Sequence, residues 1–428
     1  MKELARIAAE SVGAEMCVSV EKFLDGIYNK AFLFTMQDGV QVVGRVPNPN
    51  AGPPRYTTAS EVATMDFAMN VLGTPVPRVL AWSSDANENP VGVEYIIMEK
   101  VAGVQLDRVW PTTHIKERFE VVTAISKFQK AWMSATFSKY GSLYYSRDLE
   151  GLEEGCSYVR DDGAEVHDAR REFLDDGRVA IDFDRGPSIS ASFLWHGDSH
   201  AENIFVNPER PSEVLGIMDW QSMELRPLFD HARQPFFLDY RGPQVTGLDP
   251  PPFPDDIDRL KSPEERAKTQ SLYLNMSLAA LCRTLTHGTN RRLHRAMEFR
   301  EIASFDMPLL AQNLFIDGEA LYRSCVIELE KEWDDRPEVQ ARGNPPFSFL
   351  FLPGEVAAIS KDAAGAVRGM QRMEELREML GDRRPEKGIA RPDQYEEVKT
   401  ALKNAKTEMI DRLARTADEG IAWEKISS

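Results

Sequence analysis

Apolar and polar residues in the first hundred positions follow two different periods. Apolar side chains recur at helical spacing between residues 4 and 12, which predicts an amphipathic first helix. Three segments then alternate as half-buried strands do: 17–24, 30–36 and 40–46. Asp-Gly pairs separate these segments and are typical of hairpin turns. A helix capped by Thr57, Thr58 or Ser60 and two more strands follow, so the pattern predicts the order β-β-β-α-β-β.

The rest of the chain changes to a mainly helical pattern. Residues 114–136 have helical periodicity, whereas 146–190 are rich in Asp, Glu, Gly and Arg and predict an irregular insertion with a hairpin near residue 162. The strongest helical segments beyond residue 254 are 261–287, 317–333, 354–380 and 393–423. The predicted fold class is therefore α+β, with a small antiparallel sheet in the first 100 residues and a larger, mainly helical remainder.

The composition restricts the class of protein without identifying one. A chain of 428 residues is long for a single core, and 42% hydrophobic with 28% charged residues is ordinary for a globular protein. The formal net charge of −17 disfavours a nucleic-acid partner and suits a cationic small molecule better. Four cysteines without a CxxC pair indicate neither a zinc site nor a disulfide framework.

The sequence carries no evident membrane-spanning or targeting segment. No apolar run approaches the roughly 18 residues of a transmembrane helix, and acidic residues in the first helix argue against a signal or transit peptide. We therefore expect no membrane partner and an intracellular, cytoplasmic protein. The oligomeric state is left open.

The strongest chemical signal is the stretch HGDSHAENIF, followed by an apolar strand that ends in DW. Phosphoryl transfer from ATP needs a carboxylate that faces the acceptor hydroxyl and oxygen ligands that hold magnesium. The spacing predicts Asp198 as the catalytic base, with Asn203 and Asp219 as the ligands of Mg²⁺. His200 is a second catalytic candidate because it could reach the transferring phosphate, whereas His196 is expected to anchor the loop.

The chain resembles the phosphotransferases of the aminoglycoside phosphotransferase and choline kinase group, which share the protein-kinase-like fold. HGDSHAENIFV and MDWQ carry the resemblance, and EVATMDF, EYIIMEKVAGV and YGSLYY are similar to the fungal branch that includes altered inheritance of mitochondria protein 9. The resemblance implies a bilobal fold with a nucleotide-binding lobe (1–100), a C-lobe core with the catalytic and metal loops (101–250) and a helical substrate-side subdomain (251–428). The fungal branch also implies mitochondria as an alternative to the cytoplasm.

The resemblance implies a pair of charged residues that would bind ATP in the smaller lobe. Arg45 stands where kinases usually keep a lysine for the α- and β-phosphates, and Glu61 on the following helix is its ion-pair partner. Arginine donates to phosphate in a planar fork, so this is a departure from the kinase pattern rather than an equivalent. An ordinary surface ion pair is the alternative interpretation.

Four further residues are implied as contacts of the nucleotide. Gly26 and Asn29 occupy the phosphate-covering loop, with a plain hairpin turn as the alternative because Ile27 stands where relatives tend to have a second glycine. Met98 and Glu99 would form the hinge between the lobes, whose backbone meets the adenine. The alternative for these two residues is that they only end a strand.

Two hypotheses of different classes follow. The first is an ATP- and Mg²⁺-dependent phosphotransferase of the aminoglycoside phosphotransferase type, which transfers the γ-phosphate to a hydroxyl of a small-molecule acceptor, cationic if the acidic charge guides it. No APE-like tripeptide follows the metal Asp, which argues against protein substrates. The alternative is a nucleotide-binding pseudokinase or scaffold without turnover. Adenylylation, which transfers a different part of ATP, also stays open.

Overall fold

The structure of the protein is a computed structural model. It describes residues 1–428 except the following positions: 24–25, 27, 49–50, 138–139, 146–147, 149–156, 161–164, 168–171, 175–190, 255–261, 313, 315–318, 341, 382–394 and 414–428. By compactness the chain divides into two units, Met1–Phe299 and Arg300–Ser428. This division falls at Phe299 rather than near residue 250, and the predicted roles of 1–100, 101–250 and 251–428 stay predictions.

An antiparallel sheet of five strands begins the first unit. Its strands are β1 (Cys17–Lys22), β2 (Asn29–Met36), β3 (Gln41–Pro47), β4 (Val79–Ser83) and β5 (Tyr95–Glu99). They are arranged in the order β1-β2-β3-β5-β4. Helix α1 (Lys2–Ser11) precedes the sheet, and helix α2 (Tyr56–Asn70) connects β3 to β4. The sequence-based order of elements is confirmed.

Both faces of this sheet are covered, as the alternation along β5 demonstrates. Tyr95 and Ile97 pack into the cluster that includes α1, whereas Ile96 and Met98 pack into the cluster that includes α2. All residues of α2 from 58 to 65 are buried, so this helix is enclosed on every side rather than amphipathic.

Helix α2 begins differently from the prediction. It starts at Tyr56, after Arg55, and has no side-chain cap. The expected capping hydroxyls bond elsewhere: Thr57 donates to the Pro53 carbonyl and Thr58 to the Glu94 carboxylate. Because both hydroxyls are engaged with these acceptors, neither threonine caps the helix, and both lie inside it.

The chain then passes into a part of the first unit that contains shorter strands. After β6 (Val104–Gln105) and α3 (Leu106–Val109), helix α4 spans Ile115–Trp132. It ends earlier than predicted because residues 135–137 join a second sheet. The strands that follow are β7 (Ala135–Phe137), β8 (Ser142–Tyr144), β9 (Ser157–Arg160), β10 (Glu165–His167), β11 (Glu172–Leu174) and β12 (Ser192–Leu194).

The predicted hairpin near residue 162 is present, since β9 and β10 pair antiparallel on either side of it. The rest of the predicted insertion lies partly outside the described residues. Three strands complete the β-structure: β13 (Ile204–Asn207), β14 (Arg210–Ile217) and β15 (Leu225–Pro227). The second sheet has the order β10-β9-β7-β12-β15, and a third has the order β14-β13-β6.

Helices make up most of the described chain beyond β15. In the first unit these are α5 (Leu228–His231), α6 (Pro263–Thr289) and α7 (Arg291–Phe299). In the second unit they span Ala303–Gln312, Glu319–Glu332, Pro337–Gln340, Pro353–Leu380 and Tyr395–Leu413. The four predicted helices are all found, the last as far as the described residues extend. Each helix in the described ranges is too short or too polar to cross a lipid bilayer.

Candidate functional site

The end of the β13–β14 hairpin brings two of the predicted metal ligands together. The antiparallel register pairs Ile204 with Ile217, so Asn203 directly precedes one strand and Asp219 follows the other. The Met218 amide donates to the Asn203 carbonyl at 2.8 Å and extends this pairing by one step. Asn203 and Asp219 are 16 positions apart in the chain, and they lie side by side because the strands next to them pair in the hairpin. The sequence indicated this proximity only through the spacing of the motif.

Asp198 joins the same group through Asn203. The Asn203 amide nitrogen donates to the Asp198 carboxylate at 2.8 Å and to the Asp198 backbone carbonyl at 3.0 Å. His200 Nε2 lies 3.2 Å from the other carboxylate oxygen of Asp198, and both side chains are more than 40% exposed. The Asp198 carboxylate is thus held in place and accessible, which are the two properties that a base acting on a bound hydroxyl requires.

His196 connects the Asp198 loop to the Asp219 loop from inside the core. Its ring is buried, and its Nε2 donates to the Met218 carbonyl at 2.8 Å. The ring also packs edge-on against Trp220 with centroids 4.6 Å apart. Burial lowers the pKa of His196, so the neutral imidazole persists as the donor. The predicted anchoring role fits this geometry.

Arg45 reaches the site from the N-terminal sheet. Its guanidinium pairs with Glu61 of α2 through one terminal nitrogen and lies 3.1 Å from the Asp219 carboxylate through the other. The Arg45 side chain is 11% exposed, so this is not an ordinary surface ion pair. Burial raises the pKa of Glu61, Arg45 counteracts part of that rise, and the charge of Asp219 adds to it.

The backbone at Asp219 adopts an uncommon conformation. Its φ is 63°, in the left-handed region that costs a non-glycine residue about 1 kcal/mol or more. The conformation turns the chain directly after β14, where the Asp219 carboxylate meets Arg45. Strain of this kind is found most often where a side chain must be presented to a ligand.

Gln221 is a site residue that the sequence reasoning missed. Its side-chain oxygen lies 3.4 Å from the Arg45 guanidinium, and its amide nitrogen donates to the Ala51 carbonyl at 3.3 Å. The side-chain amide of Asn29 contacts it as well. The only signal was its position two residues after Asp219 in MDWQ, and a glutamine there has no chemistry that spacing alone would single out.

The loop predicted to cover phosphate is described only in part. Gly26 donates its amide to the Asn29 carbonyl at 3.1 Å and closes a turn, while residues 24–25 and Ile27 lie outside the described residues. The Asn29 side chain belongs to the contact network of Arg45 and Gln221, whereas Gly26 is connected to that network, among the described residues, only through its backbone hydrogen bond to Asn29.

The two predicted hinge residues lie on β5. Met98 is fully buried in the core, and Glu99 is exposed and pairs with Arg78 at 2.8 Å. The amide of Glu99 donates to the Arg78 carbonyl at 3.0 Å, so that N–H is already bonded. Neither side chain contacts the Arg45–Asp219 group among the described residues, and a hinge role for Met98 and Glu99 stays a prediction.

An aromatic and charged segment lies against the other side of the catalytic loop. The His200 ring stacks on Phe236 with centroids 4.2 Å apart, and the Phe236 amide donates to the Ser199 hydroxyl at 3.3 Å. The Arg233 guanidinium packs over the same Phe236 ring and pairs with Asp239 at 3.2 Å. Burial lowers the pKa of Arg233, and the carboxylates of Asp239 and Asp198 oppose that shift.

Two acidic residues that follow Asp219 share one arginine as their ion-pair partner. Arg226 bridges Glu224 at 2.5 Å and Asp230 at 3.0 Å. Both carboxylates are therefore engaged in one ion-pair network.

The donor atoms of the site suit magnesium rather than a transition metal. Asn203 and Asp219 supply an amide and a carboxylate oxygen, and Mg²⁺ is typically held by one or two carboxylates together with phosphate oxygens and water. Within the described ranges, no group of three or more His, Cys, Asp and Glu side chains forms a separate metal cluster. The residues present therefore fit Mg²⁺ bound jointly with a nucleotide.

Comparisons with known proteins identify a family for this chain. The model of the phosphotransferase enzyme family matches residues 19–233. A subtelomeric hrmA-associated cluster protein of Aspergillus fumigatus is 25% identical over 96% of both chains. Altered inheritance of mitochondria protein 9 of Candida tropicalis is 32% identical over 47% of this chain but only 32% of its own length.

Solved structures with some likeness include two aminoglycoside phosphotransferases. The ADP-bound APH(2'')-Ib is 13% identical and covers 65% of this chain and 99% of its own, with a TM-score of 0.32. The streptomycin-ATP complex of APH(2")-IIa is 14% identical and covers 53% and 74%, also with a TM-score of 0.32.

Proposed function

The chain belongs to the phosphotransferase enzyme family, and from that premise we propose that it transfers the γ-phosphate of ATP to a hydroxyl group of a small molecule. The observation that carries the proposal is the convergence of Asp198, Asn203 and Asp219 at one end of the β13–β14 hairpin, with Arg45 reaching Asp219 from the N-terminal sheet. This is the combination of base, metal ligands and phosphate-binding cation that phosphoryl transfer uses.

Asp198 is the proposed catalytic base. Its accessible carboxylate would accept a hydrogen bond from the acceptor hydroxyl and take the proton as the oxygen attacks phosphorus. Asn203 donates one hydrogen bond to this carboxylate and one to the backbone carbonyl of Asp198, which limits the orientations that the carboxylate can adopt. His200, 3.2 Å from the same carboxylate, is placed to donate to an oxygen of the transferring phosphoryl group.

Arg45 and Glu61 are the proposed nucleotide-side pair. Glu61 is buried and holds one end of the guanidinium, so the other end is directed at Asp219 without loss of side-chain freedom on binding. Asn203 and Asp219 would hold Mg²⁺, which, when bound, neutralises charge on the phosphate oxygens. With a nucleotide present, we expect the guanidinium to contact its phosphates as it now contacts the Asp219 carboxylate.

The acceptor and the compartment are proposed only in outline. The net charge of −17 favours a cationic acceptor alcohol, whereas Arg233 and His200 beside Asp198 would suit an acceptor with an anionic group. A small molecule remains the proposed partner in either case. A cytoplasmic or mitochondrial location and the absence of nucleic-acid and membrane partners stay predictions.

The proposal is tested by ³¹P NMR of Mg²⁺ and ATP incubated with the protein and pooled hydroxyl metabolites. Wild-type protein should yield ADP and a new phosphoester signal, and Asp198→Asn should lower that rate about a thousandfold with an unchanged circular dichroism spectrum. Glu202→Gln is the matched control because Glu202 is an exposed carboxylate in the same loop without a proposed role.

Three other results would each contradict the proposal. Full activity in Asp198→Asn would remove the assigned base. AMP and pyrophosphate as products would indicate nucleotidyl transfer. Intact ATP in every sample, together with a thermal shift on adding Mg²⁺ and ATP, would favour the nucleotide-binding pseudokinase.

A further inference from the structure

A cavity of the first unit lies at the junction of α6 and α7, apart from the residues proposed for phosphoryl transfer. Its volume is about 250 Å³, and it is lined by Leu248, His287, Arg291, His294, Arg295 and Glu298. None of these residues belongs to the contact network of Arg45, Asp198 and Asp219 described above. The cavity therefore requires its own explanation.

The spacing along α7 gathers charge on the face that lines this cavity. Arg291, Arg295 and Glu298 are four and three residues apart and project from one side of the helix. Leu293 and Met297 project from the opposite side and are buried. Arg292 is exposed but does not line the cavity, because one residue along a helix turns the side chain by about 100°.

The two arginines of the cavity are available to a ligand. Both are exposed, and within the described part of the chain neither forms an ion pair with an acidic side chain. This contrasts with Arg377 of the second unit, which pairs with Glu374 on its own helix. A guanidinium presents a planar set of N–H donors that matches a phosphate or carboxylate group.

His294 forms a buried wall of the same cavity. It is 5% exposed, and its Nδ1 lies 3.2 Å from the Glu298 carboxylate. The negative charge of Glu298 is therefore directed toward the imidazole of His294. Its Nε2 is buried and has no hydrogen-bond partner among the described residues, and the His287 ring lies edge-on to it with centroids 4.8 Å apart. An unsatisfied buried ring nitrogen next to an open cavity indicates a missing ligand or water.

The local charge is opposite to that of the whole chain. Around His294 lie one carboxylate, that of Glu298, and three guanidinium groups, those of Arg283, Arg291 and Arg295. Burial lowers the pKa of His294 most, and the nearby His287 and Arg283 lower it further, while Glu298 opposes them. In a protein with a net charge of −17, such a concentration of positive charge is unexpected unless it binds an anionic group.

We propose that this α6–α7 cavity binds the phosphate group of a small ligand, with Arg291 and Arg295 as its charged donors and His294 as its inner wall. The site is separate from the proposed transfer of phosphate, and its ligand is a small molecule that carries a phosphate group. It does not depend on ATP or on Asp198.

The experiment is a titration of the full chain with inorganic phosphate at constant ionic strength, observed through the imidazole nitrogens by ¹H–¹⁵N NMR. The chain has 7 histidines, which makes the spectrum assignable by single substitution. Saturable shifts of the His287 and His294 signals are expected, with smaller or no shifts for His196 and His200. Arg291→Ala together with Arg295→Ala should weaken phosphate binding at least about tenfold.

Arg292→Ala is the matched control and should change the affinity less than about twofold. Equal affinity in the double variant and wild type would overturn the proposal, as would His287 and His294 signals that do not respond to phosphate. A response limited to His200 would assign phosphate binding to the kinase site and would equally overturn it. No nucleotide is added in this titration. Its result therefore does not depend on whether the proposed phosphoryl transfer occurs.

Discussion

At the scale of single residues, Asp219 combines a proposed metal ligand with a strained backbone. Its φ of 63° is tolerated by glycine but costs alanine about 1 kcal/mol. Arg45 contacts its carboxylate at 3.1 Å, so part of that cost is offset by an ion pair. We interpret the strained backbone of Asp219 as stability lost at a position that the proposed function requires.

Comparison of Asp219→Gly with Asp219→Ala tests this interpretation. Both substitutions remove the carboxylate, and both should abolish phosphoryl transfer. Only glycine relieves the strain, so its free energy of unfolding should exceed that of the alanine variant by about 1 kcal/mol. Urea denaturation measures the difference. Equal stability of the two variants would show that the left-handed conformation carries no cost.

The buried His196 predicts a pH dependence of stability. In the unfolded chain the imidazole titrates near pH 6.5, whereas burial lowers the pKa of His196 in the folded protein. As pH falls below about 6.5, the unfolded chain binds the proton first, so the stability that is fully present above this pH is progressively lost.

The urea midpoint of wild type should therefore fall more between about pH 7.5 and pH 5.5 than that of His196→Gln. Glutamine can still donate to the Met218 carbonyl but does not titrate, so the variant should lose less stability on acidification. The difference between the two slopes isolates His196 from every other titrating group. Parallel slopes would contradict the assigned shift.

At the scale of elements, the contact of β6 with β13 depends on a glycine. Gly103 has a φ of 84°, and a Cβ there would lie 2.3 Å from the Val206 carbonyl oxygen. Val206 pairs with Val104 in the sheet that carries Asn203 and Asp219 at its end. A side chain at residue 103 would therefore separate β6 from the β13–β14 hairpin.

Gly103→Ala should destabilise the protein by several kcal/mol and lower transfer activity, whereas Gly73→Ala should cost only about 1 kcal/mol. Gly73 is the matched control because its φ is also positive, at 62°, and nothing lies within 4 Å of its Cβ position. Thermal unfolding of both variants measures the difference. Similar losses would mean that backbone strain, and not the steric contact with β13, determines the effect.

Elements also differ in how well the sequence predicted them. The strands of the first sheet were predicted closely because each presents alternate side chains to two covered faces. Helix α2 gave no periodic signal that would fix its start, since it is enclosed on all sides. Helix α4 was predicted too long because residues 135–137, which extend its periodicity, pair as β7 in another sheet.

At the scale of the whole molecule, the protein has an α+β architecture, and the protein-kinase-like fold implied by the resemblance is confirmed by the family match and by the antiparallel sheet that precedes the helical part. All described candidate site residues and the α6–α7 cavity belong to Met1–Phe299. The first unit also has its own continuous core, which includes residues of α2, β12 and α7.

We therefore expect the chain cut after Phe299 to fold and to bind Mg²⁺ and ATP. The expected Kd lies within about fivefold of that of the full chain, because each proposed nucleotide contact is retained. Isothermal titration calorimetry measures binding, and circular dichroism with thermal unfolding serves as the control for folding. A cooperatively folded fragment that does not bind nucleotide would show that residues beyond Phe299 are needed at the site.

The sequence by itself determined the order of the first elements, the family, and the residues of the HxDxxxxN motif that are proposed for phosphoryl transfer, because hydrophobic periods and motif spacing are local properties of a chain. Only the tertiary structure decided which of those residues meet: Arg45 is 174 positions from Asp219, and their contact follows from how the sheet packs against the catalytic hairpin. Gln221 and the α6–α7 cavity belong to the same category. Their side chains are unremarkable in the sequence, and only packing brings them next to the groups that they contact.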